Sequence, residues 1–95
     1  MTVLGEAAAE QFAKQHAAAR KPLARFLALA RATSWQHFPE VKRTFPAADY
    51  AAATGTLIFD IGGNKYRLIA RADFEEQTLY IQAIMTHEKY NRENL

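Results

Sequence analysis

Residues 57–90 constrain the fold of this 95-residue chain more than any other stretch. They contain three short apolar runs, which are separated by two turn signals. Gly62, Gly63 and Asn64 suit the positive-φ positions of a tight hairpin turn, and residues 73–78 are polar enough for a second, longer turn. The pattern therefore predicts a three-stranded antiparallel meander, with strands at roughly residues 56–61, 65–72 and 79–85.

The middle strand of this meander is expected to carry a cationic face. Successive side chains of a strand point to opposite faces of the sheet, so Lys65, Arg67 and Arg71 should share one face. The side chains at 66, 68 and 70 should then point toward a core. A His and a Tyr follow the third strand within the run THEKY at residues 86–90. Cations beside a His and a Tyr are the groups that metal-free RNA cleavage would need.

The residues before the meander predict a short first strand and two helices. Residues 1–4 form a short apolar start that suits an edge strand. The segment from 6 to about 20 is rich in Ala and lacks internal Gly or Pro, which favours a helix. Its expected buried stripe consists of Ala8, Phe12 and Ala19. The second helix should begin near Pro22, and its apolar positions recur at helical spacing: Leu23, Phe26, Leu27 and Ala30.

The connection at residues 35–53 is predicted to be irregular, with at most one helical turn at 41–45. It contains Pro39 and Pro46 and is long for a small domain, and long ordered loops tend to be functional. It also carries Lys42 and Arg43. A last helical turn is expected within residues 88–95. Together these elements predict one α+β domain spanning residues 1–95, a helical hairpin packed on a small antiparallel sheet in the order β-α-α-β-β-β.

Composition limits the possible classes of function. The chain has no Cys, and no His or acidic residues occur at metal-ligand spacing, so we expect neither disulfides nor a metal or cofactor. No signal peptide and no apolar run of about 20 residues is visible, which predicts a soluble cytoplasmic protein. The net charge is only +2, a weak indication of an anionic partner.

The sequence resembles the HigB-type toxins, which belong to the RelE/ParE-like superfamily of toxin–antitoxin proteins. The resemblance covers nearly the whole chain, and the segments that carry it are VKRTFPAAD at 41–49, FDIGGNKYRLIA at 59–70 and THEKY at 86–90. It implies a ribosome-dependent, metal-independent mRNA interferase that inhibits translation. It also implies two partners, mRNA on the ribosome and a cognate HigA-like antitoxin with a helix-turn-helix domain.

The chemistry of such cleavage assigns roles to three residues. The adjacent 2′-OH attacks the phosphate, which requires a base, an acid and cations for the developing charge. Arg67 is the candidate for the phosphate, and its alternative role is an ion pair with Asp60 across the hairpin. His87 is the candidate base or acid, or else a capping residue. Tyr90 would donate a hydrogen bond to the phosphate, stack on a base or act as an acid. Its alternative role is that of a structural tyrosine at the edge of the core.

Five further cations are candidates for binding RNA, and the alternative for each is an ordinary exposed charge. They are Lys65, Arg71, Lys89, Lys42 and Arg43. Two other functions remain open from the sequence. One is a non-enzymatic toxin of the same scaffold that binds a protein target. The other is a small RNA-binding module without cleavage, although its usual mark of exposed aromatic residues on the sheet is weak because Tyr66 is predicted to face the core.

Overall fold

A five-stranded mixed sheet forms the centre of the molecule in the computed structural model, which describes residues 1–93. The elements follow one another as β1 (Thr2–Leu4), α1 (Glu6–Gln15), a 3-10 turn (Ala17–Ala19), α2 (Arg20–Ala32), α3 (Phe38–Thr44), β2 (Asp49–Ala51), β3 (Thr56–Ile61), β4 (Tyr66–Asp73), β5 (Thr78–Thr86) and α4 (His87–Glu93). The strand order across the sheet is β1-β5-β4-β3-β2. Strand β1 is parallel to β5, and the other neighbours are antiparallel.

The structure confirms the α+β class and the predicted meander of β3, β4 and β5. The predicted order β-α-α-β-β-β is wrong in detail, because α3 and β2 lie within the connection that was expected to be irregular. The last helical turn predicted after the meander is present as α4. The sheet is also mixed rather than antiparallel, since β1 pairs in parallel with β5. Hairpin signals report only on strands that are neighbours in the chain, so they could not reveal this pairing. Within the predicted last helical turn, residues 94 and 95 lie outside the described residues.

The core lies between the helices and one face of the sheet. Trp35, Phe59 and Leu68 are among its largest fully buried side chains and are at most 1% exposed. The Phe26 and Phe59 rings lie 4.8 Å apart, in the edge-to-face range that aromatic pairs favour. Burying a side chain of this size stabilises the fold by about 1.5–3 kcal/mol. These contacts fix β3 and β4 as a rigid support for the side chains on the other face.

The helical hairpin differs from its prediction at two points. Helix α1 ends at Gln15 rather than near residue 20, and the ring of His16 stacks on Phe12 with centroids 4.0 Å apart. The buried alanine of α1 is Ala9, whereas Ala8 is exposed. The sequence contains a run of alanines, so composition could not tell which of them faces the sheet. Pro22 lies in the first turn of α2, as predicted.

The face of the sheet opposite α1 and α2, here called the open face, carries two of the three cations predicted for β4, whereas Lys65 lies in the preceding turn. Tyr66, Leu68 and Ala70 are buried on the helix side, so the alternation predicted from the sequence is confirmed. Arg67 and Arg71 lie on the open face, and Tyr80 is paired with Arg71 across the strands. Within residues 1–93, no helix has the length and apolar character needed to cross a membrane.

Candidate functional site

Four residues meet at the turn between β3 and β4, and we call this set the turn cluster: Asp60, Asn64, Arg67 and His87. Gly62 and Gly63 have φ values of 66° and 71°, which favour glycine and allow the chain to reverse. The register pairs Asp60 with Arg67 directly across the hairpin. Because Tyr66 pairs with Thr86, helix α4 begins beside the same turn and brings His87 to it.

The Arg67 guanidinium is held by the turn on several sides. Its Nε lies 3.3 Å from Asp60 Oδ1, so the ion pair anticipated from the sequence is confirmed. Nη2 donates to Asn64 Oδ1 at 2.6 Å, and Nη1 donates to the carbonyl oxygens of Tyr66 at 3.2 Å and Asn64 at 3.4 Å. Only 11% of the Arg67 side chain is exposed. The cation therefore has a fixed position, and Asp60 balances part of its charge.

His87 is attached to the same turn by its backbone and its ring. Its backbone N–H donates to the Lys65 carbonyl oxygen at 2.9 Å, and its Nδ1 lies 3.1 Å from the Asn64 carbonyl oxygen. Thr86 Oγ1 accepts a hydrogen bond from the Lys89 N–H at 3.2 Å, which satisfies one of the free donors at the start of α4. The imidazole is therefore anchored through Nδ1, beside the strand that carries Arg67.

Three further predicted residues lie close to the turn cluster along the chain. Tyr90 is half-buried and follows His87 by three residues, so the two side chains lie on neighbouring positions of α4. Lys65 is exposed in the turn itself. Lys89 is exposed and lies 3.9 Å from Glu93 in an ion pair. The structure thus brings Arg67, His87 and Lys65 together, with Lys89 and Tyr90 on the adjoining helix.

Three predicted cations lie elsewhere. Arg71 is at the other end of β4, about 13 Å along the strand from Arg67, and its Nη2 donates to the Thr54 carbonyl oxygen at 2.6 Å. Lys42 and Arg43 are exposed in the last turn of α3. That helix leads into a segment that borders a depression of about 570 Å³ beside Asp60 and Asn64. Its volume lies within the range of ligand pockets.

Two notable side chains were not among the predicted site residues. Asn64 was assigned only to the turn, yet it contacts both Arg67 and His87. Tyr80 is 43% exposed on the open face, next to Arg71 and to Leu4. The alternation of Leu79 and Ile81 around Tyr80 was the available signal that this tyrosine points away from the core. The contact of Asn64 with His87 had no comparable signal, because it depends on where α4 begins.

The chain was compared with known proteins. A family model described as HigB toxin, the RelE-like toxic component of a toxin–antitoxin system, matches residues 19–93, which include every residue of the turn cluster. Similar curated proteins are the mRNA interferase toxin HigB of Escherichia coli (strain K12) and the mRNA interferase HigB of Shigella flexneri. Each is 36% identical over 52 residues, which is 54% of this chain and 50% of the relative. The alignment thus spans about half the length of those relatives. Since the family model covers most of the chain, this protein belongs to the HigB toxin family of RelE-like toxins from toxin–antitoxin systems.

Proposed function

We propose that this toxin is a ribosome-dependent, metal-independent endoribonuclease that cleaves mRNA and so inhibits translation. The similar curated proteins, which align with this chain over half of their own length, are named mRNA interferases. Membership of the HigB toxin family supports the same activity here. The observation that carries the proposal is the convergence of Arg67 and His87 on one turn. A rigid cation on the hairpin and an imidazole bonded to the turn of that hairpin are groups that phosphodiester cleavage by a neighbouring hydroxyl requires.

The proposed reaction is an internal transfer at the phosphorus. The 2′-oxygen forms a bond to phosphorus while the bond from phosphorus to the 5′-oxygen breaks. His87 accepts the proton of the 2′-OH or supplies the proton that the 5′-oxygen gains, and Tyr90 is the candidate for the other transfer. The products are a 2′,3′-cyclic phosphate and a 5′-hydroxyl, and the reaction consumes no water in this step.

Arg67 stabilises the charge that develops on the phosphate oxygens. Its Nη1 already donates to two carbonyl oxygens, and Nη2 donates to Asn64. Contact with a phosphate therefore uses the second Nη2 N–H and the positive field of a guanidinium that is fixed before the substrate arrives. Such preorganised donors cost no reorganisation during the reaction.

The other predicted cations extend this site toward the RNA backbone. Lys65 and Lys89 are exposed on the turn and on α4, where they flank the turn cluster. Arg71, Lys42 and Arg43 lie farther away and would contact more distant phosphates. As a member of a toxin–antitoxin family, the protein is expected to be neutralised by a HigA-like antitoxin with a helix-turn-helix domain.

The test is cleavage of an mRNA on translating ribosomes, compared with the same mRNA alone, with mapping of both new ends. We expect cyclic phosphate and 5′-hydroxyl ends that appear only with ribosomes. His87→Gln keeps a hydrogen-bonding side chain but cannot carry the proton, so cleavage should fall about 10²-fold or more. Ends with a 5′-phosphate, equal cleavage of free mRNA, or full activity of the folded variant would contradict the respective parts of the proposal.

A second candidate function is a non-enzymatic toxin that binds a protein target. The observation that favours it is the adjacent pair Leu4 and Tyr80 on the open face, which are 47% and 43% exposed. Expression without an antitoxin separates the two functions. Growth arrest with new mRNA ends supports the nuclease, whereas arrest with intact mRNA supports the protein-binding toxin.

A further inference from the structure

Asn64 lies between the two groups that the proposed reaction uses. Its carbonyl oxygen is 3.1 Å from His87 Nδ1 and 3.4 Å from Arg67 Nη1. Its side-chain Oδ1 accepts a hydrogen bond from Arg67 Nη2 at 2.6 Å. One residue therefore contacts the imidazole and the guanidinium at the same time. The relative position of His87 and Arg67 is consequently set through the turn that carries Asn64.

The contact with the Asn64 carbonyl oxygen determines which ring nitrogen of His87 is available to accept a proton. A carbonyl oxygen only accepts hydrogen bonds, so His87 Nδ1 must carry the hydrogen. In a neutral imidazole the other nitrogen, Nε2, then has the free lone pair. The second bond of His87 to the turn, from its backbone N–H to the Lys65 carbonyl oxygen, holds the backbone of His87 beside Asn64.

The backbone conformation does not explain the presence of Asn at this position. Asparagine is common in turns because it tolerates positive φ, but among the described residues other than glycine only Gln77 has a positive φ. Gly62 and Gly63 provide the positive φ values of this turn. The amide of Asn64 is therefore explained by its contact with Arg67 rather than by the shape of the chain.

We propose that Asn64 is the positioning residue of the site. Its carbonyl oxygen fixes His87 with the hydrogen on Nδ1 and makes Nε2 the nitrogen that transfers the proton. Its side chain fixes the guanidinium of Arg67 at the same turn. The roles of His87 and Arg67 in this statement rest on the proposed nuclease function, whereas the arrangement of the three residues does not.

The experiment combines NMR with kinetics. Long-range proton–nitrogen spectra of the full chain report the tautomer of His87, with the signal assigned by its loss in His87→Gln. We expect the hydrogen on Nδ1. In Asn64→Ala the Arg67 Nη2 hydrogens, one of which Asn64 Oδ1 accepts in the wild type, should exchange faster with water. The kcat on ribosome-bound mRNA should fall about tenfold, with a smaller change in KM. Asn64→Asp keeps an acceptor at the same place and should restore the slow exchange of Arg67.

Two results would overturn the proposal. One is a His87 ring with the hydrogen on Nε2. The other is an Asn64→Ala protein in which both the Arg67 exchange rate and kcat equal those of the wild type. If the wild-type protein itself does not cleave mRNA, the nuclease proposal fails, and the NMR measurements still decide the positioning role. If the wild type cleaves mRNA, and Asn64→Ala changes neither the Arg67 exchange rate nor kcat, only the positioning role fails.

Discussion

The two ends of strand β4 both depend on an amide side chain, but for different purposes. At the start of β4, the amide of Asn64 contacts a charged guanidinium. At its end, Gln77 Nε2 donates to the carbonyl oxygens of Trp35 at 2.6 Å and Phe74 at 2.7 Å. Gln77 Oε1 also accepts a hydrogen bond from Ser34 Oγ at 2.8 Å. The first turn thus positions charged groups, and the second attaches the segment after α2 to the sheet.

If the proposed function holds, the two ends of β4 contribute separately to activity and to stability. Gln77 binds neutral backbone groups next to Trp35, which is 1% exposed, so its bonds contribute to the fold. Asn64 is exposed, and its partner is a cation already paired with Asp60. Changes at the turn cluster should therefore affect RNA cleavage first, whereas changes at Gln77 should affect unfolding first.

The largest effect is expected from Arg67→Ala. Removing one preorganised contact to the transition state lowers the rate by about 10²–10³-fold. The matched control is Arg71→Ala, which removes the same side chain at the other end of the strand, and we expect it to lower the rate less than about tenfold because Arg71 is far from the turn cluster. Single-turnover cleavage of ribosome-bound mRNA measures both.

The stability of Arg67→Ala must be measured in parallel, because the side chain is largely buried. Urea denaturation separates a folded but inactive variant from an unfolded one. A folded Arg67→Ala protein that cleaves at the wild-type rate, or an Arg71→Ala protein that loses as much activity, would remove the functional distinction between the two ends of β4.

The next effect is on stability and comes from Gln77→Ala. This change leaves the carbonyl oxygens of Trp35 and Phe74 without the side-chain donor, so the free energy of unfolding should fall by about 1–3 kcal/mol. Ser34→Ala removes only the exposed hydrogen bond to Gln77 and should cost less. Urea denaturation measures both, and cleavage at a temperature where the variants are folded should be unchanged. Equal stability of Gln77→Ala and wild type would show that this turn does not anchor the segment after α2.

A smaller effect on stability is expected from Gly63→Ala, which lies in the turn between β3 and β4. A Cβ at this position would meet no atom within 4 Å, so the cost is only that of placing a non-glycine residue at a φ of 71°. That cost is about 1 kcal/mol in the free energy of unfolding. Gly63→Asn is the matched control, since asparagine tolerates this conformation and should recover part of the loss. Thermal or urea denaturation that ranks the alanine variant as the more stable of the two would contradict the argument.

The sequence predicted those parts of the molecule that repeat a local pattern. Alternation along β4 placed Leu68 in the core and Arg67 on the open face, and both positions are confirmed. Strand β2 was missed because Asp49–Ala51 is short and includes Asp and Ala, which are rare in strands. The contact between His87 and Asn64 joins residues 23 positions apart and depends on the end of β5. No local pattern encodes that distance, so the pair could be found only in the structure.

The smallest effect is expected from the exposed lysines beside the turn cluster. Lys65→Ala and Lys89→Ala each remove one potential phosphate contact, so KM for ribosome-bound mRNA should rise about two- to threefold with little change in kcat. The salt dependence of binding should also become weaker, because fewer counterions are released when fewer phosphates are neutralised. Lys14→Ala is the matched control, since Lys14 is an exposed lysine in the last turn of α1, on the helix side of the sheet. A titration of KM against salt for the three variants tests this role. If all three variants behave alike, Lys65 and Lys89 are ordinary surface charges that do not contact the RNA.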